Sequence, residues 1–284
     1  MGTFNGLTKL TRLSIGGNEI SEIKPGTFEN VMSLEILYLD DNRIEHVNRD
    51  TFSGLFKVKY INLSKNKLKY LHPDTFLRLP KLQELYLTNN PGLKVPTDRN
   101  FIKSHSLLHL DISLCNISSV SVEKFANVSA LEWLDLSNNN LKTVNINILT
   151  ALPKLSTLYL FLNPLHCDCQ LQEVWRLCKD RNMWPGNHVR SNTPSEVNGM
   201  VWAVLDKGQC LQDNIQYNGD YKNYTDTEIS FSYKYTKKFL KNYQVPIYAV
   251  SFIFGTTDNV IILIITVCKK ECELFPICTS LTWL

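Results

Sequence analysis

Leu131 to Leu141, L-E-W-L-D-L-S-N-N-N-L, is the clearest copy of a unit, L-x-x-L-x-L-x-x-N-x-L, that recurs along more than half of the chain. Its first position is held by Leu10, Leu34, Val58, Leu82, Leu107, Leu131 and Leu155, in steps of 24, 24, 24, 25, 24 and 24 residues. The inner L-x-L has the period of a strand, with Leu134 and Leu136 on one face and Asp135 on the other. One such strand cannot bury its own leucines. Stacked copies join into a parallel ladder and close a continuous core, each covering the next. Asn139 then turns the chain, its amide placed to bond backbone groups of the neighbouring turn, and Leu141 re-enters the core. Asn18, Asn42, Asn66, Asn90 and Asn163 hold the same place, and Cys115 replaces it in one copy. The returning half of the unit carries Phe28, Phe52, Phe76, Phe101 and Phe125, followed three residues later by Val31, Leu55, Leu79, Ser104 and Val128. These aromatics are expected to fill the far side of the core.

This tandem register resembles that of extracellular leucine-rich repeat proteins of the typical 24-residue class, over residues 1–166. The pattern itself tolerates cysteine at the asparagine position, so Cys115 needs no redox role. The resemblance implies an α/β solenoid, a horseshoe with a parallel β-sheet on its concave face. Met1 to Leu7 reads as the second half of a repeat, aligned with Gly26 to Val31, so an N-terminal cap is expected to be missing and the chain to be a fragment; no signal peptide is recognisable.

With 284 residues and 44% hydrophobic content the chain can bury a large core, and a net charge of +3 without basic clusters interleaved with aromatics in the repeats argues against a nucleic-acid partner. Four of the eight cysteines fall between Cys167 and Cys210, which points to a disulfide-bonded module and an oxidising compartment. Four N-glycosylation triplets, at Asn62, Asn116, Asn127 and Asn223, agree with an extracellular location.

From Asn163 the chain reads N-P-L-H-C-D-C-Q-L-Q-E-V-W, which resembles the start of the cysteine-rich C-terminal cap of such proteins and sets a cap over 167–210. In that family the first cysteine pairs with the third and the second with the fourth. Cys167, Cys169 and Cys210 match the first, second and fourth, while the third place is taken by Ser191. The resemblance therefore implies a Cys169–Cys210 bridge and leaves Cys167 either free or bonded to Cys178. A zinc site on His166 to Cys169 is the competing reading, but its spacing departs from the C-x-x-C of closed zinc sites.

Residues 211–241 read as a tyrosine-rich linker ending in Lys234, Lys237, Lys238 and Lys241, and residues 242–268 as a transmembrane helix in which Asp258 is the one charge. Asp258 and Asn259 would sit near mid-membrane, where polar groups face other helices. The run resembles the first transmembrane helix of rhodopsin-like G-protein-coupled receptors: Asn259 matches the helix asparagine and Asp258 departs from its glycine. The tail, 269–284, read one nucleotide out of frame, permits a string similar to the first intracellular loop of such receptors, so a frameshifted tail is expected.

No catalytic constellation is present: the six histidines are scattered, and G-x-S-x-G, H-E-x-x-H and phosphate-binding loops are absent. We expect no enzyme, cofactor, metal or small-molecule substrate. The informative surface is the outward side of the ladder, where Tyr38, Tyr60, Glu84, Tyr86, Asp111, Trp133, Asp135 and Tyr159 combine aromatics with carboxylates, a composition suited to binding hot spots. The bland alternative is cross-strand stacking of tyrosines without any ligand, and a glycan on Asn62 would obstruct the face. The expected function is an extracellular module tethered to the plasma membrane that binds a protein or peptide ligand. The alternative is a truncated leucine-rich repeat G-protein-coupled receptor, unable to signal with one helix.

Overall fold

A computed structural model describes residues 4–96, 100–125, 127–183, 189, 191–193, 208–211, 214–217, 248–254 and 261–267, with backbone alone at 122–123 and from 208 onward. Seven three-residue strands, Arg12–Ser14, Ile36–Tyr38, Tyr60–Asn62, Glu84–Tyr86, His109–Asp111, Trp133–Asp135 and Thr157–Tyr159, form one sheet in sequence order. Every pairing is parallel and in repeat register, for example Leu110 with Leu134 and Asp111 with Asp135. In all seven strands the middle residue is buried and its two neighbours are partly exposed, as the period of the sequence requires.

The far side departs from the expected α/β solenoid. Its helical pieces are the 3-10 turn Phe76–Arg78 and the short helices Val122–Phe125 and Asn147–Ala151, joined by turns and by a parallel pair of His46–Val47 with Tyr70–Leu71. The described repeats therefore form a parallel-strand β-solenoid. Once the strand and the asparagine turn are made, the residues left in a 24-residue unit fall short of a self-sustaining helix. Phenylalanines replace helix packing there: the rings of Phe4, Phe28, Phe52 and Phe76 stack in succession at 5.9, 6.1 and 6.0 Å. Leu149 takes the ring's place in the last repeat and is fully buried. Gly54 is required where this wall is tightest, because at φ 96° a Cβ would lie 2.7 Å from the Glu29 Cα.

The asparagines do more than turn the chain. Asn66 Nδ2 donates to the carbonyls of Leu63 and Ser64 in its own repeat and of Leu39 in the one before, while its Oδ1 accepts from the Ile44 N–H. Asn42, Asn90, Asn139 and Asn163 make the equivalent bonds. Cys115 keeps part of the pattern, its Sγ donating to Leu87 O at 3.3 Å. The residue before each ladder position, Gly17, Asp41, Lys65, Asn89, Leu114, Asn138 and Leu162, is left-handed, with φ between 52° and 65°.

Beyond the last repeat, Asp168 caps the helix Cys169–Asp180 by accepting from the Leu171 N–H, and Leu171, Val174, Cys178, Met183 and Val189 join the repeat core. Arg181 Nη1 donates to Leu149 O at 2.8 Å, tying the helix end to the last repeat. The chain returns at Thr193 to bridge His166 in parallel, with the His166 Nδ1 2.7 Å from the Thr193 hydroxyl. Cys169 is disulfide-bonded. The side chain of Cys210 lies outside the described residues. The Cys167–Cys178 bridge considered from sequence is not formed: both thiols are free and buried. Cys167 Sγ instead touches Ser191 Oγ, the residue standing in the place of the family's third cysteine. His166, Cys167, Asp168 and Cys169 each have a separate partner.

The contacts divide the chain into two compact units, Met1–Thr225 and Asp226–Leu284. Near the end of the first, Gly208–Leu211 pairs with Asn214–Tyr217, so the start of the expected linker is part of an antiparallel pair. In the second unit, Tyr248–Phe254 pairs antiparallel with Ile261–Val267. These strands fall within 242–268, the stretch read from sequence as a transmembrane helix. Apolar runs of seven residues, rich in β-branched and aromatic types and separated by a Gly-Thr-Thr-Asp-Asn-Val sequence, do not distinguish strand from helix by periodicity. No helix among the described residues is long and apolar enough to cross a membrane. Asp258, Asn259, Asn223 and the tail 269–284 lie outside the described residues.

Two substitutions test this architecture. Asn90→Ala removes a fully buried amide and leaves the Leu68 N–H without its acceptor; the expected loss is about 3 kcal/mol in equilibrium unfolding. Ser191→Cys is expected to bridge Cys167 across a separation of 24 residues and to stabilise by about 3 kcal/mol. Non-reducing peptide mapping should recover the 167–191 pair together with a higher Tm.

Candidate functional site

The strands place two rows of side chains on the outward face of the ladder, one repeat apart and therefore about 5 Å from row neighbour to row neighbour. All eight residues singled out from sequence stand on this face. They separate into two clusters. In the first, the Tyr60 ring lies 5.1 Å from both Tyr38 and Tyr86, and the Tyr86 hydroxyl donates to Glu84 Oε2 at 3.0 Å. In the second, Trp133 packs on His109 at 6.1 Å and edge-on to Tyr159 at 5.5 Å, and Tyr159 continues to Phe161 at 5.9 Å. Phe161 was missed by the sequence pattern because it occupies the position that Ser113 and Ser137 hold in earlier repeats. Its spacing two residues beyond Tyr159 is the signal that could have found it.

The carboxylates are anchored locally. Asp111 Oδ1 accepts from both the N–H and the hydroxyl of Ser113, at 2.9 and 2.7 Å, and Asp135 Oδ1 accepts from the Ser137 N–H at 2.8 Å. Asn62 uses its amide oxygen in the same way toward Ser64 N–H, so this glycosylation candidate sits within the sheet face, partly buried between rows of tyrosine. Asn116 is exposed on the turn side and Asn127 partly exposed. The Trp133 indole N–H is buried and acts on the Tyr159 phenol, opposing the rise that burial imposes on it.

Burial pushes the Asp135 carboxyl up to about 6, with the negative charge of Asp111 adding to it and the Ser137 bonds opposing it. Asp111 is raised by burial as well, against the stabilising Ser113 bonds. The phenols of Tyr60 and Tyr86 are raised chiefly by burial, so both stay neutral donors. The face is thus partly dehydrated and holds two carboxylates on directly paired positions. Among the described residues no group of three His, Cys, Asp or Glu is placed to hold a metal ion.

A raised folded-state carboxyl contributes stability that is present below its unfolded value and lost as pH rises through the folded one. Asp135→Asn keeps an acceptor for the Ser137 N–H and removes the charge. Its expected effect is a higher Tm than wild type at pH 7.5, with the difference vanishing near pH 4, read by calorimetry at the two pH values.

The Leucine rich repeat family profile matches residues 1–44, 32–91 and 105–165. Human (Homo sapiens) leucine-rich repeat-containing protein 3B is 34% identical over 93 residues, covering 32% of this chain and 35% of that protein. Mouse (Mus musculus) Toll-like receptor 9 is 30% identical over 129 residues, covering 44% of this chain and 12% of the receptor. This chain thus spans about a third of the length of the first relative and about an eighth of the second. The crystal structure of human 5T4 (Wnt-activated inhibitory factor 1, trophoblast glycoprotein) superposes with a TM-score of 0.48 at 24% identity, over 68% of this chain and 84% of that one. With its profile matched over more than half of the chain, this protein belongs to the leucine-rich repeat family.

Proposed function

We propose that the chain is an extracellular recognition module, held at the plasma membrane, that binds a protein or peptide ligand through the outward face of its strand ladder. The observation that carries this reading is the pair of aromatic clusters with carboxylates on that face, Tyr38 to Tyr86 and His109 to Phe161. Aromatic anchors beside polar groups dominate binding energy at protein interfaces. One relative is a receptor by name, in keeping with recognition. Asn116, exposed on a turn, would carry a glycan clear of the face, whereas Asn62 would carry one into it. We therefore favour Asn116 as the modified site, with Asn127 and Asn223 as further candidates.

The cap bridge proposed here is Cys169 with Cys210, Cys169 being disulfide-bonded. For tethering we propose residues 242–268. An isolated two-stranded pair leaves open edges whose N–H and C=O groups cannot be satisfied in lipid, whereas a helix satisfies all of them internally. The same sequence is therefore expected to become helical in a bilayer. In the alternative reading, as the ligand-binding part of a truncated G-protein-coupled receptor, the ligand would meet the same face.

Expression in mammalian cells tests location: the expected product is glycosidase-sensitive and resists carbonate extraction, and an unglycosylated, protease-exposed cytosolic product contradicts the proposal. Binding is tested by screening the full chain against displayed secreted and membrane ectodomains. A true ligand should bind Tyr60→Ala and Trp133→Ala at least about tenfold more weakly and Met32→Ala, on the far side, as tightly as wild type.

A further inference from the structure

The ladder face is unevenly charged. Although the chain carries a net +3, the outward strand positions from Glu84–Tyr86 through Thr157–Tyr159 hold Glu84, Asp111 and Asp135 and neither lysine nor arginine. Among the described strands the outward rows hold one lysine or arginine, Arg12 on the first strand. The salt bridges Arg43–Glu19, Lys59–Glu35, Lys69–Glu45, Arg78–Asp50 and Lys103–Asp74 all use other residues.

The local bonds of the two aspartates do not call for charge. Asn62, at the equivalent position, makes the same hydrogen bond to the N–H two residues on with a neutral amide. Asp111 and Asp135 nevertheless stand opposite one another on adjacent strands, where like charges destabilise a sheet. A cation seated between them would relieve that repulsion. The surroundings suit the rest of a basic peptide. Trp133, Tyr159 and Phe161 offer ring faces and edges on which a guanidinium or ammonium stem packs. Leu114 and Leu162, 47% and 66% exposed, add an apolar rim on the turns that follow their strands.

Resting on the reading of this face as a recognition surface, we infer that its C-terminal half docks a basic protein segment, seating an arginine or lysine side chain between Asp111 and Asp135 with an apolar neighbour against Trp133 and Tyr159. Charge complementarity selects the partner's chemistry, and the aromatic cluster supplies the contact area.

The test uses the full chain and a displayed library of random 12-residue peptides, with two variants of equal charge change. Asp111→Asn with Asp135→Asn preserves the backbone bonds of the face. Glu22→Gln with Glu29→Gln removes two exposed carboxylates elsewhere. The expected result is enrichment of peptides with arginine or lysine next to an aromatic or aliphatic residue. Their affinity should fall by about tenfold or more in the first variant and stay unchanged in the second. Peptides that lack basic residues, an equal loss in both variants, or no peptide preferring wild type over the first variant would each overturn the inference. Peptides without basic residues that still lose affinity on Tyr60→Ala would overturn the basic-segment assignment alone and leave the recognition face standing.

Discussion

The structure depends on how backbone groups are satisfied where each strand leaves the sheet. At that point the chain turns inside the solenoid, and its N–H and C=O groups have neither a sheet partner nor water. Each ladder asparagine from Asn42 onward answers this with donors to its own repeat and the one before and an acceptor for an N–H of the one before. Buried polar groups left unpaired are expensive, so the asparagines fix the stacking register as firmly as the leucines fix the core. Cys115 shows which half of the role is dispensable. Its thiol still donates to the Leu87 carbonyl, but the Leu93 N–H, the group an asparagine there would accept from, turns to Asn90 O at 3.0 Å instead. That exchange falls in the unit with the extra residue, between Leu82 and Leu107.

Because leucine, phenylalanine and asparagine hold the repeats from within, the outward strand positions are left free of structural duty. The first half of the face uses that freedom for tyrosines in mutual contact, which stabilise the sheet by themselves. The second half does something a stability argument does not explain, placing two partly dehydrated aspartates side by side. Groups that cost stability while sitting among aromatic rings are characteristic of binding surfaces. The exposed ion pairs on other faces, such as Arg43–Glu19 and Lys59–Glu35, are worth little by comparison, since solvent screens them.

Much of this was legible from the sequence, because period and register are written directly into a tandem repeat. The seven strands, the asparagine positions, the phenylalanine wall and the eight face residues follow from spacing alone. The vacancy of a cysteine at Ser191 was read from resemblance, and Cys167 touches Ser191 in the fold. What spacing could not supply is conformation that depends on neighbours. The far side lost its expected helices to ring stacking. The left-handed residue before each asparagine was hidden because Lys65, Leu114 and Leu162 occupy it alongside Gly17 and Asn89. The apolar run at 248–267 reads equally as helix or strand until its surroundings are known, and pairs as strands here.

The central claim is that the ladder face holds a dehydrated pair of carboxylates at a cost to the fold. Carbon-13 NMR titration of the aspartate side-chain carboxyls in the native protein tests it most directly. The account predicts that the Asp111 and Asp135 signals shift together, with a midpoint for Asp135 near 6. Titration of both residues as independent groups near 4 would contradict it.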